Sequence, residues 1–251
     1  SAEVLGRAVD LVVSASRTVF VDSLECVTLK GSAVKGDFIR GYSDFDFHVF
    51  LGPEAMDGER SPKVGGAIQF QKAFGNVDPE DFGASQFQIY FIHSERYPSD
   101  WVPPIEGTYK VLWGKLPPSA IEGEDSAYLL FARQCLSKVC EDRRKIVERF
   151  VDKPNRGVSP VVRLLGATLK GHMYSVSTLA TSKPKLVYNL RLDELITFVE
   201  RQVESDGHFS AFYECVTDWP RVRGDCEYAR GAFREAIEAL DDIGYWTRKM
   251  R

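Results

Sequence analysis

Two aspartates separated by one residue are the side chains in this sequence best suited to chemistry. Asp44 and Asp46 lie between Ser43 and Val49, where polar and apolar residues alternate. This is the period of a half-buried β-strand, so both carboxylates are predicted on one face. Residues i and i+2 of a strand are roughly 6.5–7 Å apart between Cα atoms, so the carboxylates can converge on one cation. Because Mg²⁺ prefers one or two carboxylates completed by phosphate oxygens and water, the pattern predicts a magnesium site.

The other face of the same strand is predicted to lie in a hydrophobic core. Phe45, Phe47 and Val49 alternate with the aspartates and are the core candidates. His48 continues the polar face and is predicted at its rim, with orientation of Asp46 as the alternative. A strand that only exposes acidic residues to solvent would show the same alternation. A second motif nearby favours function.

That second motif is the pair Gly31 and Ser32, which a short predicted loop separates from the aspartates. Glycine lets a backbone approach a ligand closely or adopt positive φ. Backbone N–H groups and the Ser32 hydroxyl can then hold phosphate oxygens. The predicted strand at residues 26–30 ends at this pair, so the pair should lie at the edge of a sheet.

Together these residues resemble the nucleotidyltransferase fold of the DNA polymerase β superfamily. The resemblance comprises Gly31-Ser32, a short spacer, and Asp44 and Asp46 at the start of a strand, preceded by Ser43. Most similar is the branch of aminoglycoside nucleotidyltransferases, which adds a C-terminal helical bundle. The resemblance implies an α+β protein with an N-terminal mixed sheet flanked by helices, followed by an all-α bundle. It assigns Asp44 and Asp46 to catalysis and to Mg²⁺, and Gly31, Ser32 and Ser43 to the nucleotide.

The reaction implied is transfer of a nucleoside monophosphate from a nucleoside triphosphate, with ATP the expected donor. The acceptor would be a hydroxyl of a small molecule such as an aminoglycoside. The sequence departs from the family pattern on the strand predicted beside the aspartates. Many members carry a third carboxylate there, and this chain offers Gln88, a neutral amide that cannot act as a base.

Two consequences of that departure stay open. Glu95, Glu141 and Asp142 are candidates for a base supplied from elsewhere, although each has the sequence context of a surface acid. The alternative function is a nucleotide-binding module with weak or no turnover, or a toxin–antitoxin nucleotidyltransferase that acts on a protein or tRNA.

Composition limits the remaining classes. The chain has 251 residues, 44% hydrophobic and 12% aromatic, with 32 basic and 36 acidic residues and a net charge of −4. This balance favours a folded globular protein and argues against bulk nucleic-acid binding. The absence of long apolar runs favours a cytoplasmic protein without membrane spans. Five cysteines without Cys-x-x-Cys spacing favour free thiols over a disulfide framework or a zinc site: Cys26, Cys135, Cys140, Cys215 and Cys226.

Hydrophobic periodicity divides the chain into two predicted domains, residues 1–118 and 125–251. The first is predicted as helix 3–21, strand 26–30, a strand from Asp44, helix 67–74 and strands 85–92 and 107–114. No strand-like alternation of useful length follows Gly114. The second domain is predicted as four or five helices, at residues 125–151, 158–179, 186–203 and 225–246, with a shorter one at 209–216.

Overall fold

The computed structural model describes residues 2–98, 101–121, 123–152 and 157–250. The chain divides into two compact units, Ser1–Gly123 and Glu124–Arg251. Within the described residues, one four-stranded mixed sheet is accompanied by helices. The predicted α+β class is therefore confirmed.

The first unit contains the sheet and four α-helices within its described part. Their bounds are α1 (Ala2–Val19), β1 (Leu24–Lys30), α2 (Ser32–Lys35), β2 (Phe45–Leu51), α3 (Val64–Phe74), β3 (Phe87–His93), β4 (Tyr109–Gly114) and α4 (Pro118–Ile121). Short 3-10 helices lie at Pro53–Ala55 and Pro79–Phe82. The single-turn helix α2 occupies a stretch that the sequence predicted to be mostly loop.

The strands lie in the order β3-β2-β1-β4. β1 is antiparallel to β2 and to β4, whereas β2 and β3 are parallel. In this register Asp46 is the partner of Lys30 on one side and of Gln88 on the other. Paired residues of neighbouring strands point to the same face, so these three side chains form one row across the sheet.

One face of the sheet packs on α1 and α3. Phe45, Phe47 and Val49 are buried there, as the alternation predicted. Fully burying a large apolar side chain contributes about 1.5–3 kcal/mol, so this face fixes which way β2 points. A one-residue slip would move the aspartates into the core.

The second unit contains helices and connecting turns, with no strand among its described residues. Its helices are α5 (Asp125–Leu136), α6 (Val139–Asp152), α7 (Ser159–Leu179), α8 (Leu192–Val203), α9 (His208–Thr217), α10 (Trp219–Gly224) and α11 (Cys226–Lys249). Helix α7 contacts α5, α6, α8 and α11, and Leu165, Leu169 and Met173 on it are completely buried.

Two predicted helices of this unit are wrong in extent. The helix predicted at 125–151 is broken after Leu136, because the Ser137 hydroxyl donates to the Gln134 carbonyl (2.8 Å) and the Lys138 N–H to the Cys135 carbonyl (3.0 Å). Serine competes with the helix for backbone partners in this way.

The helix predicted at 186–203 begins only at Leu192 and follows a 3-10 helix at Pro184–Asn189. The Glu194 carboxylate accepts from the Arg191 N–H at 2.8 Å. This bond satisfies a backbone donor at the start of α8, as in a capping box. Helix α10 was not predicted.

Among the described residues, no helix is long and apolar enough to span a membrane.

Candidate active site on the sheet

Asp44 and Asp46 lie at the start of β2, on the face opposite the large hydrophobic core. Asp46 is within the strand and Asp44 immediately precedes it. Both side chains are half-buried. The sequence therefore predicted their face correctly, although the regular strand begins one residue after Asp44.

The Asp46 carboxylate lies directly against the backbone of Gly31. A Cβ atom built on Gly31 would collide with Asp46 Oδ2 and lie 3.5 Å from Asp46 Cγ. Gly31 also has φ = 75° and ψ = −151°, a conformation that residues with a Cβ rarely adopt. The contact with Asp46 and the backbone conformation both favour glycine at this position. The Val34 and Lys35 N–H groups both donate to the Gly31 carbonyl at 3.1 Å.

Asp44 is held by the segment that leads into β3. Ser85 Oγ donates to Asp44 Oδ1 at 2.8 Å, and Gln86 Nε2 donates to Asp44 Oδ2 at 3.1 Å. Backbone bonds join the same segments, from the Ser85 N–H to the Ser43 carbonyl and from the Phe45 N–H to the Gln86 carbonyl. These two donors orient both oxygens of the Asp44 carboxylate.

Ser43 has a local structural role. Its hydroxyl accepts from the Ile39 N–H at 2.9 Å, and its own N–H donates to the Ile39 carbonyl at 2.8 Å. These bonds close the turn before Asp44. Ser32 is buried at the start of α2.

Gln88 on β3 is paired with Asp46 on β2 in the parallel register of these strands. β3 is the strand on which the resemblance implies a third carboxylate. Lys30 is in register on the other side of Asp46 and is half-buried. Burial lowers the pKa of Lys30, and the attraction of the Asp46 charge opposes that shift. The row across the sheet therefore carries an amide, a carboxylate and an ammonium group.

Tyr90 and His48 form the next row. Burial raises the pKa of Tyr90, and the charges of Asp46 and Asp44 raise it further. One phenol thus experiences the field of both aspartates, which is consistent with carboxylates that share one face. Tyr90 is 39% exposed and borders the site.

His48 does not lie at the rim; the structure corrects that prediction. The ring is buried, with its centroid 5.5 Å from those of Tyr90 and Trp101. Trp101 packs over this end of the sheet face and donates from Nε1 to the Ala120 carbonyl at 3.1 Å. Burial and the positive charges of Lys30 and Arg60 hold the pKa of His48 well below 6.5.

Of the acids proposed as an external base, Glu95 lies in the first unit but away from this row. Gln88 and His93 are separated by roughly 16 Å along β3, and Glu95 lies beyond His93, where its N–H donates to His93 Nδ1. Glu141 belongs to the second unit and forms an ion pair with Lys145 at 2.6 Å. Pairing with Lys145 also lowers the pKa of Glu141, which is unfavourable for a base.

The donor set fits Mg²⁺ only together with further ligands. No group of three or more His, Cys, Asp or Glu side chains that could hold a metal occurs in the part of the chain described. Two carboxylates are nevertheless what a magnesium–triphosphate complex requires of a protein, since phosphate oxygens and water supply the rest. The Asp46 carboxylate lies directly against the Gly31 backbone, so one of the two acids is adjacent to the glycine loop.

Sequence reasoning missed Lys30, Ser85 and Gln86. The residues that precede two parallel paired strands lie beside each other, so Ser85 and Gln86 could have been found only after β3 had been assigned as the parallel neighbour of β2. Lys30 precedes the glycine directly, and the period of β1 places its side chain on the face of Asp46. No protein-family model matches the chain, and a search of curated proteins finds no significant match.

Proposed function

We propose that this chain is a Mg²⁺-dependent nucleotidyltransferase that transfers a nucleoside monophosphate, from ATP as the expected donor, to a hydroxyl of a small molecule such as an aminoglycoside. The observation that carries the proposal is the contact between the Asp46 carboxylate and the backbone of Gly31, with Asp44 on the same strand face. It joins a glycine loop suited to phosphate with an acid pair suited to magnesium. The α+β architecture is compatible with the proposal, in which residues 1–118 are the nucleotidyltransferase domain and residues 125–251 a helical bundle.

In this proposal each residue has a limited task. Asp44 and Asp46 would hold magnesium on the triphosphate, and the metal, when bound, neutralises charge on the phosphates. Gly31 allows the triphosphate to approach the backbone, and the Ser32 hydroxyl donates to a phosphate oxygen. Ser85 and Gln86 keep the Asp44 carboxylate oriented.

A second candidate function is a nucleotide-binding module with weak or no turnover. Gln88 favours it, because the neutral amide is the registered partner of Asp46. An amide oxygen can coordinate or orient a ligand, but it supplies neither negative charge nor a base. Both candidates bind magnesium–triphosphate and differ in turnover.

The primary experiment is an assay with Mg²⁺ and each of the four labelled nucleoside triphosphates against a panel of hydroxyl acceptors. We expect consumption of one triphosphate and a labelled acceptor, both lost with EDTA and in Asp46→Asn. Binding without turnover would support the second candidate. Absence of magnesium–triphosphate binding in calorimetry, by folded wild-type protein, would refute both.

Gln88→Asp separates the two candidates. An added carboxylate beside Asp46 should tighten magnesium–triphosphate binding several-fold. In a module that lacks only this charge, turnover should appear or rise, whereas an enzyme with a base elsewhere should keep or lose activity. Gln88→Glu tests whether a carboxylate on a longer side chain has the same effect, and circular dichroism checks the fold of both variants.

A further inference from the structure

The second unit contains a thiol, an imidazole and a carboxylate joined in series. Cys135 near the end of α5 lies 3.5 Å from Nδ1 of His172 on α7, measured from its Sγ atom. Nε2 of the same ring lies 3.1 Å from Oδ2 of Asp142 on α6. Three helices each contribute one group, and the break between α5 and α6 allows two of these groups to reach one histidine.

The hydrogen bonds define the resting protonation of the cluster. An ionised Asp142 can only accept, so Nε2 carries a proton, and Nδ1 is the acceptor in the neutral ring. The Cys135 thiol therefore donates to Nδ1. Burial raises the pKa of Cys135 and lowers that of His172, although Asp142 opposes the shift of the histidine. Thiol and neutral imidazole are thus the resting forms.

Burial differs along the series. His172 is 1% exposed, whereas the Asp142 side chain is 32% exposed and lines a groove of about 430 Å³ with residues of α6 and α7. Cys135 is half-buried. The carboxylate at one end is partly exposed, the histidine in the middle is buried, and the cysteine residue at the other end is half-buried.

We propose that Cys135 is a modification site for small uncharged Michael acceptors, with His172 as its base and Asp142 as the group that orients the base. The sulfur forms a bond to the β-carbon of an electron-poor alkene, the C=C π bond breaks, and its electron pair moves onto the α-carbon and the electron-withdrawing group attached to it. The thiol proton moves to Nδ1 of His172 and from there to the α-carbon of the adduct. No leaving group or oxidant is required, so the atoms and electrons balance.

The reagent class follows from what the three residues supply. Conjugate addition to an alkene needs a soft nucleophile and a proton shuttle, and these are present. Acyl transfer would in addition need donors aimed at the developing oxyanion. An uncharged reagent is favoured because the thiol is half-buried and a charged one would lose solvation there.

The test is the rate of N-ethylmaleimide labelling of each cysteine in the folded chain, measured by peptide mass spectrometry. Cys215 is the matched reference, since it is also half-buried and its thiol interacts with Tyr228. We expect Cys135 to react at least about tenfold faster than Cys215. Base assistance often contributes roughly 10²–10⁴-fold, but a thiol keeps an unassisted thiolate path, so the smaller figure applies.

His172→Gln should remove this advantage, and Asp142→Asn should reduce it while the ring stays in place. Labelling of the exposed Cys140 and Cys226 should be unchanged in both variants. If Cys135 reacts no faster than Cys215, or equally fast in wild type and in Asp142→Asn, the proposal is overturned. Asp142 is partly exposed, so its variant keeps the test decisive should His172→Gln not fold.

Discussion

The acid face of the first unit is the face at the start of β2 that carries Asp44 and Asp46, and the thiol series of the second unit is Cys135, His172 and Asp142. These two regions use similar residue types in opposite ways. Asp44 and Asp46 gather two negative charges on one strand face, with a glycine against one of them. In the second unit one carboxylate faces a single buried histidine, and both ring nitrogens have partners within the protein. The first arrangement places two carboxylates on one strand face beside Lys30, whereas the second joins donors and acceptors in series.

Under the two proposals, the acid face would bind a metal–triphosphate complex, whereas the thiol series would react at its sulfur. Two half-buried carboxylates on one face repel each other, and a bound cation relieves that repulsion. The thiol series contains a single carboxylate, so it has no repulsion between like charges, and its proposed chemistry requires a reagent to come to the sulfur. Substitutions in the acid face should therefore change ligand binding, while substitutions in the series should change reactivity.

The largest expected effect is on the acid face itself. Asp44→Asn and Asp46→Asn each remove one negative ligand but keep the size of the side chain. Outer partners of metal ligands are typically worth about 10–100-fold in affinity, so loss of a ligand should weaken magnesium–triphosphate binding by at least about 100-fold. Calorimetry measures the affinity and circular dichroism the fold. Unchanged affinity in the double variant would end the comparison, because the acid face would then be no ligand site.

Gly31→Ala should have the next largest effect, and Gly36→Ala is its matched control. Both glycines have positive φ, 75° and 80°, but a Cβ at Gly36 meets nothing within 4 Å. The backbone conformation should cost Gly36→Ala, which is in the αL region, about 1–2 kcal/mol, and Gly31→Ala, whose ψ lies outside that region, about 1–3 kcal/mol. Only Gly31→Ala must also displace Asp46, so only this variant should lose most of its magnesium–triphosphate affinity.

Urea unfolding and calorimetry on both glycine variants separate strain from site damage. Equal losses of magnesium–triphosphate affinity in the two variants would show that ligand binding does not depend on the contact between Gly31 and Asp46. Gly31→Val should be worse than Ser32→Ala for nucleotide binding, since it blocks the approach while the serine contributes one hydrogen bond.

Ser85→Ala tests whether the orientation of Asp44 matters. The substitution removes the donor to Asp44 Oδ1, and we expect a loss of about tenfold in magnesium–triphosphate affinity. Ser85→Thr keeps the hydroxyl and should restore most of the affinity, which a loss of packing alone would not explain. If alanine and threonine behave alike, the hydrogen bond has no role in binding.

The smallest expected effect is on stability, and its sign differs between two histidines of the second unit. The pKa of His172 is lowered below 6.5, so the unfolded chain binds more protons and the contribution of His172 is lost as pH falls below about 6.5. Hydrogen bonding to Glu235 raises the pKa of His208, so its contribution is complete below 6.5 and is lost as pH rises through the higher folded value.

Urea unfolding of wild type and His208→Gln at pH 5.5 and pH 8 measures this difference. The variant should lose more stability at pH 5.5 than at pH 8, by less than about 1 kcal/mol for a partly exposed pair. A larger loss of stability at pH 8 than at pH 5.5 would show that the pKa of His208 is not raised by folding.

Local sequence patterns determined much of the first unit. The alternation around Asp44 and Asp46 predicted both the strand and its two faces, because burial of Phe45, Phe47 and Val49 allows only one orientation. The positive φ that glycine permits is present at position 31, whereas the approach of a ligand to its backbone stays a prediction. What approaches it within the protein is Asp46 from β2, a contact between residues 15 positions apart that depends on antiparallel pairing.

Tertiary structure decided the rest. The sequence could not indicate that Trp101 packs over His48, that Ser85 and Gln86 hold Asp44, or that Cys135, His172 and Asp142 meet. Helical periodicity predicts which face of a helix is apolar, but it does not state which helices become neighbours. Such contacts join residues far apart in the chain, and they form only when the packing of whole strands and helices brings those residues together.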